Sequence, residues 1–372
     1  MRTTGLMCAV AMAATLAGVP MAQAENYVFS SWFGQNHPVN WQGLKHYFDL
    51  LREKTDGEAD WRLVTGAQLA SGPGTPEAVG DGLVDAGIAI APYQPRLMAA
   101  TNTIFSYSLL GPDELAAGGA MNEAVLLGCD QCKEEYHELN AVGFGGYSAT
   151  PYLFMCRKPI KTVDDLKGLK IRSSGGGVSI SEIAGATPVS MSPADATTAL
   201  ERGTIDCVLG SVTWLQSYGY MDVVEGVVDS PMGMGGPPLL MFVNRDRWND
   251  MSSEVRKAHI ELAPELIASA EIDGNQVTEA KIVADAKARG ITFTPDSEAF
   301  QDIMVEHDKR QIGRVLEEAK DAGVENPEKL IAFYKDAYEK WKTLLAENGR
   351  DHDTYVRLLW DEVYSKVDPD KL

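Results

Sequence analysis

The stretch Lys170-Ile171-Arg172-Ser173-Ser174-Gly175-Gly176-Gly177 is where residue types and spacing point most directly to chemistry. A short strand pattern ends at Arg172, three glycines permit close backbone approach, and a helical pattern follows. A guanidinium beside the free N–H groups of a helix start forms an anion site. The carboxyl end of a parallel strand is where open α/β sheets bind ligands. The competing reading is a surface Arg in a solvated ion pair, which contributes little. Catalytic groupings are missing: the sequence has no H-E-x-x-H, no G-x-S-x-G and no G-x-x-x-x-G-K-[ST]. The six histidines (His37, His46, His137, His259, His307, His352) form no pair at i and i+4. Only His37 lies in a loop after a strand, where α/β sites form.

Cys129-Asp130-Gln131-Cys132 is a C-x-x-C. A redox role places such a pair after a strand, with its thiol pKa lowered. Here it follows the helical pattern Ala120–Leu127 and precedes Glu134, Glu135 and Glu138, which would raise a thiol pKa. A local structural disulfide is therefore the preferred reading, and zinc ranks lower because no second ligand pair has finger spacing. With Cys156 and Cys207 there are four cysteines after residue 24, and the sequence does not choose among their three pairings.

The elements that must position these residues alternate. Strand patterns at Tyr27–Ser31, Trp61–Thr65, Gly87–Ala91, Val142–Gly145 and Leu153–Cys156 are separated by helical ones, including a helix capped by Asn40 and one opening at Thr75-Pro76 with Thr as N-cap. The pattern restarts with strands Leu169–Arg172, Pro188–Met191 and Cys207–Gly210, helices Val178–Ala184 and Pro193–Arg202 between them, and strand Leu239–Asn244 after them. Alternation of this kind implies βαβ units and parallel sheet. Ser252 to Gly290 reads as one helix of roughly 38 residues, about 57 Å long at 1.5 Å per residue, kinked at Pro264. The tail from Ser297 is helical, with a break near Gly323–Pro327.

Composition is that of an ordinary globular protein: 372 residues, 45% hydrophobic and 23% charged, enough for about two domains. Thirty-three Lys and Arg against 53 Asp and Glu leave a net charge of −20, which repels nucleic acid and anionic membrane surfaces alike. The apolar run Leu6–Leu16 after Arg2, followed by Pro20 and Ala22-Gln23-Ala24, has the layout of a secretory signal peptide cleaved after Ala24. Cys8 sits too early for a lipid anchor. Export favours disulfides over free thiols.

The block Asp164-Asp165-Leu166-Lys167-Gly168-Leu169-Lys170-Ile171-Arg172, Gly185-Ala186-Thr187-Pro188-Val189, and Ala199-Leu200-Glu201-Arg202-Gly203-Thr204-Ile205-Asp206 resembles the DctP-type solute-binding proteins of tripartite ATP-independent periplasmic (TRAP) transporters. Gly66-Ala67-Gln68-Leu69, the Glu77–Gly87 region and Phe242-Val243-Asn244 with Trp248 and Glu254 support the match, which spans roughly Tyr27 to Phe293. The resemblance implies two α/β domains hinged about a ligand cleft, with the long helix spanning both. The expected division is a signal peptide at 1–24, domain I at 25–148 plus 237–278, and domain II at 149–236 plus 279–372 with the C-terminal helices. It further implies a periplasmic receptor with no catalysis and no cofactor, which carries a small organic acid to membrane permease subunits.

By the same resemblance Arg172 holds the ligand carboxylate, where a bidentate guanidinium fits better than a Lys. Ser173, Gln68 and Gly210 join it as ligand-binding candidates. Two features of the family are absent: a second Arg, at the place of Thr150-Pro151-Tyr152, and a polar residue after the Asp206 segment. Aromatics stand there instead. Trp32 and Phe33 follow the first strand, Tyr152 follows the hinge, and Trp214 follows Gly210. Trp32, Tyr152 and Trp214 form a potential cage, which keeps a betaine-like zwitterion open as ligand. An exported enzyme and a structural envelope protein are the remaining alternatives.

Overall fold

The structure, a computed structural model, describes residues 25–107, 113–235 and 239–372. The signal-peptide reading of residues 1–24 lies outside the described residues. Eleven strands build two sheets among the described residues. They are β1 (Glu25–Ser30), β2 (Ala59–Val64), β3 (Ala86–Ala89), β4 (Ala141–Phe144), β5 (Tyr152–Cys156), β6 (Lys170–Arg172), β7 (Thr187–Val189), β8 (Cys207–Ser211), β9 (Gly226–Asp229), β10 (Leu239–Asn244) and β11 (Thr292–Pro295). The first sheet has the order β2-β1-β3-β10-β4 and the second β11-β9-β5-β8-β6-β7.

Each sheet holds one strand that opposes its neighbours. In the first it is β10, antiparallel to β3 and β4; in the second it is β5, antiparallel to β8 and β9. Both strands follow a crossing: β4 leads through residues 145–151 into β5, and residues 230–235 follow β9 on the way to β10. The two crossings pair with each other. Tyr152 N–H donates to Gly233 O (2.7 Å), Met232 N–H to Tyr152 O (2.9 Å) and Ala149 N–H to Gly235 O (3.2 Å). All of β3, β4, β5, β8 and β10 is buried, as apolar runs with helices on both faces require.

Several local expectations shift for identifiable reasons. The helix predicted from Asn40 starts as a wide π turn at Val39–Lys45 and becomes α1 at His46–Lys54. Asn40 caps nothing: its side chain accepts from Ser31 Oγ (2.6 Å) and donates to Gly34 O (2.9 Å), pinning the loop after β1. Helix α2 (Thr75–Gly80) has Gly74 as N-cap, because the Thr75 hydroxyl donates backwards to Ser71 O (2.9 Å). Three helices between β3 and β4 are α3 (Ala99–Tyr107), α4 (Glu114–Leu127) and α5 (Asp130–Glu138), of which only part of α4 shows a clear pattern in the sequence. Cys129 is the N-cap of α5 and is bonded to Cys132, so the C-x-x-C is a disulfide within one helix start. The second disulfide joins Cys156 to Cys207, which face each other across the β5–β8 pair.

Helices α6 (Gly177–Ile183), α7 (Pro193–Glu201) and α8 (Trp214–Ser217) belong to the second sheet's connections; α9 (Arg245–Asp250) follows β10. The predicted long helix is α10 (Ser253–Ala268), a π-helical stretch at Ser269–Gln276, and α11 (Val277–Ala288), with no break between them. Pro264 stays inside α10, and the departure from α geometry comes later, at Ser269. There the wide turn lies against the π turn Val39–Lys45, where a Cβ on Gly43 would stand 3.1 Å from the Ala270 Cβ. The α10 end packs on α1 and the α11 end on α8, so the helix reaches from the first sheet's elements to the second's. The tail forms α12 (Glu298–Asp321), α13 (Pro327–Asn348) and α14 (His352–Glu362). Helix α13 packs on α4 and α14 on α10, whereas α12 touches both α3 and α6.

Candidate functional site

A narrow cavity lies between the two sheets, at strand ends and beside the crossings. It encloses about 370 Å³ of non-atom space, but the centre of a water molecule reaches only about 20 Å³ of it. As packed here, this slot has room for about one water. Its walls come from the ends of β1 (Trp32, Phe33, His37), β3 (Ile90, Tyr93), β6 (Arg172, Ser174) and β8 (Trp214, Tyr218), with Tyr147, Ala149 and Gly235 from the crossings, Tyr152 from the start of β5 and Pro193 from α7. Carboxyl ends of β1, β3, β6 and β8 converge here, as in other open α/β sheets.

Arg172 is the one charged side chain among the described lining residues. It is the last residue of β6 and only 2% exposed. Its Nε donates to Met191 O (2.8 Å), its Nη2 reaches the Tyr93 hydroxyl (3.4 Å), and its guanidinium lies over the Trp214 ring, 5.3 Å from the centroid. No carboxylate among the described residues pairs with it. A permanent charge held dry without a counter-ion is costly unless something supplies the opposite charge. Of the groups expected to form an anion site, only the guanidinium lines the slot. The helix N–H groups expected to assist are spent on the turn itself, Gly177 N–H on Ser174 O, Val178 N–H on Gly175 O and Ile180 N–H on Gly176 O.

The aromatic residues form a closed circuit around the slot. Tyr93 meets Trp32 at 5.7 Å between centroids, Trp32 meets Phe33 at 4.6 Å, and Phe33 stacks on His37 at 4.2 Å. His37 meets Tyr218 at 5.8 Å, Tyr218 meets Trp214 at 5.8 Å, and Arg172 over Trp214 closes the ring through Tyr93. Two links, Arg172–Tyr93 and His37–Tyr218, join loops of the first sheet to loops of the second. Gly210 holds the indole in place by lacking a side chain, since a Cβ there would lie 2.1 Å from the Trp214 ring.

Five predicted residues, Arg172, Trp32, Phe33, Tyr152 and Trp214, line the slot together. Gly210 backs the Trp214 ring, and Ser173 is buried with its hydroxyl unpaired, one residue off the wall. Ser174 lines the slot instead, because residues two apart along an extended segment share a face. Gln68 is exposed and away from the slot. The cage imagined for an outside cation is already occupied, since the Trp214 face carries Arg172. Sequence reasoning passed over Tyr93, Tyr147 and Tyr218. Tyr218 was within reach, standing four residues after Trp214 just as His37 stands four after Phe33. Tyr93 and Tyr147 carry no such signal.

The slot has a second, neutral pole. The Val39 N–H donates to His37 Nδ1 (3.3 Å), so the ring keeps its proton on Nε2. Burial lowers the His37 pKa to about 3, and raises those of Tyr147 and Tyr218 well above the ordinary range. All three are therefore uncharged at neutral pH. Neither the His37 Nε2–H nor the hydroxyls of Tyr147 and Tyr218 finds a hydrogen-bond partner among the described residues.

Residues 29–313 match the family model described as bacterial extracellular solute-binding protein, family 7 (DctP). Among curated proteins the chain is 30% identical over 158 residues to the 2,3-diketo-L-gulonate-binding periplasmic protein YiaO of Escherichia coli, covering 40% of this chain and 45% of that one. It is 25% identical over 286 residues to a solute-binding protein of Chromohalobacter salexigens, covering 73% and 81%. The chain thus spans less than half the length of YiaO, and most of the second. Among solved structures, a TRAP solute-binding protein from Rhodoferax ferrireducens with copurified benzoate superposes with a TM-score of 0.75 at 18% identity, covering 86% of this chain and 99% of that one. A TRAP solute-binding protein from Bordetella bronchiseptica with bound mandelate gives 0.70 at 23% identity, covering 85% and 99%. The Bordetella pertussis receptor DctP7, which binds pyroglutamic acid, gives 0.70 at 18% identity, covering 84% and 100%.

Proposed function

Since this chain belongs to family 7 of the bacterial extracellular solute-binding proteins, we propose that it is the periplasmic receptor of a TRAP-type transporter. In this reading it captures a small organic acid between two lobes, performs no catalysis, and delivers the solute to membrane permease subunits. The observation that carries the reading is Arg172, a guanidinium 2% exposed, facing a slot, with no carboxylate partner among the described residues. A ligand carboxylate would supply the missing charge, and the aromatic walls would take an apolar body. Relatives of this fold hold benzoate, mandelate and pyroglutamate, all small monocarboxylates.

The lobes we assign follow the sheets. One comprises the first sheet and its helices, with α13 and α14 packed on it; the other comprises the second sheet, and the paired crossings form the hinge. Residues 1–24 we assign to a signal peptide, so that mass spectrometry of the exported protein should find Glu25 first. The circuit links Arg172–Tyr93 and His37–Tyr218 each pair one lobe with the other, so a ligand seated in the slot would favour the closed arrangement by its differential affinity.

Thermal-shift screening against organic acids, sugar acids and betaines tests the reading. A true solute raises the apparent stability by about 2.7 kcal/mol at a hundredfold excess over its Kd. Small-angle scattering with the solute at saturation should then show a smaller radius of gyration. Stabilisation by betaines and by no acid would overturn the organic-acid reading.

A further inference from the structure

The two poles of the slot differ in kind, and the difference defines a ligand class within the organic-acid reading, on which this inference rests. We infer that the slot accepts one carboxylate only, and selects a flat aryl monocarboxylate bearing a neutral polar group, a hydroxyl or carbonyl, at the end away from that carboxylate. The carboxylate goes to Arg172. The far group goes to the pole formed by His37, Tyr147 and Tyr218.

Three observations carry this. First, charge: Arg172 is the single cation among the described lining residues, and His37 has its Nδ1 occupied by the Val39 N–H in a fully buried site. Burial holds that imidazole neutral down to about pH 3, so it offers no charge to a second carboxylate. A dianion would leave one carboxylate dehydrated against neutral donors, and desolvating an ionised carboxylate is among the costliest acts in a protein interior. Second, unspent hydrogen bonding: Tyr147 and Tyr218 are 3% and 8% exposed, and their hydroxyls have no partner among the described residues. Two other polar rings of the wall are occupied. Trp32 Nε1–H donates to Ile88 O (2.8 Å) and the Tyr152 hydroxyl donates to Gly235 O (3.1 Å). Polar groups without a protein partner in a site that closes away from water discriminate for a ligand that pairs them. Third, the walls: aromatic rings present faces and edges to the space, and such surfaces take a planar ring better than a branched body.

Titration calorimetry on the intact protein with benzoate, 3-hydroxybenzoate, isophthalate, succinate and lactate tests it. These probes separate the hydroxyl, the second carboxylate and the ring. We expect 3-hydroxybenzoate to bind roughly tenfold or more tighter than benzoate, and isophthalate to bind at least about a hundredfold more weakly than 3-hydroxybenzoate. In a Tyr147→Phe, Tyr218→Phe double variant the ratio between 3-hydroxybenzoate and benzoate should collapse toward one. Both substitutions keep the ring and remove only a hydroxyl, and the single variants serve if the pair fails to fold by circular dichroism. Isophthalate binding as tightly as 3-hydroxybenzoate overturns the inference, as does a hydroxyl preference that survives the double variant. Tight binding of succinate or lactate alone overturns it too, yet leaves the receptor reading standing. Binding of none of the five acids, alongside thermal-shift hits among betaines only, overturns the organic-acid reading itself.

Discussion

Arg172 and Glu271 are both buried and both lack an ion partner among the described residues, and they meet that lack in opposite ways. Arg172 borders a slot and cannot shed its proton. Glu271 lies in the π-helical stretch of the long helix, wholly buried, its Oε1 accepting from the Ser148 N–H of the first crossing (2.5 Å) and its Oε2 unpaired. It does not line the slot. Gly118 of α4 makes way for it, since a Cβ there would stand 2.0 Å from the carboxyl oxygen. Burial raises the Glu271 pKa well above the carboxylate range, so the group takes a proton and becomes neutral. In the reading we propose, an unpaired charge that must stay charged and adjoins space marks a binding site, whereas one that neutralises itself marks structural packing.

The largest effect expected from this contrast is on ligand affinity. Arg172→Ala should weaken binding of the native solute by roughly 2–5 kcal/mol, which is thirtyfold to several thousandfold. Arg172→Lys should restore only part, because the fork geometry is lost. Calorimetry measures both, with circular dichroism as the folding control, and undiminished affinity in folded Arg172→Ala removes Arg172 as the anion anchor.

Glu135 lies between the two extremes. It is buried on α5, its Oε1 accepts from the Ala100 N–H (2.7 Å), its Oε2 is unpaired, and burial raises its pKa to about 7. A carboxyl whose folded pKa is raised contributes its full stability below the unfolded value near 4.5 and loses it as pH rises through about 7. The loss over that window is of order 3 kcal/mol. Glu135→Gln keeps the bond from Ala100 and should flatten this part of the stability profile, read by urea unfolding at pH 4.5, 6 and 8. An unchanged slope in the variant means that Glu135 does not titrate there.

The smallest effect is expected at Glu271. At pH 5 the wild-type carboxyl is protonated, so Glu271→Gln exchanges one neutral acceptor for another of the same shape and should change stability by less than about 1 kcal/mol. Loss of several kcal/mol in urea unfolding at pH 5 would show that the ionised form is needed, and would break the contrast with Arg172.

Much of the fold was legible because it rests on local signals. The strand positions follow from short apolar runs, and the order of strands and helices follows from their alternation. Arg172 was legible through the strand-then-glycine pattern around it. The three helices between β3 and β4 were harder to read. Helix α4 is buried around most of its circumference and shows little periodicity, whereas α5 is charged and short. The π-helical stretches were not legible either, since they arise where Gly43 and Ala270 bring two segments far apart in sequence together.

The sequence by itself determined which groups are available: one Arg at a strand end, aromatics after other strand ends, four cysteines able to pair, and a long apolar-patterned helix. Tertiary structure decided which of these meet. It paired Cys156 with Cys207 because β5 enters the second sheet antiparallel beside β8, a register set by the crossings. It brought Tyr93 from one sheet to Arg172 in the other, and set Tyr147 and Tyr218 at the neutral pole. It also left Gln68 on the surface. The physical reason is range. Strand and helix preferences act over a few residues, whereas a slot between two sheets is made by contacts between distant segments, 79 residues apart for Tyr93 and Arg172, whose geometry depends on how both sheets pack.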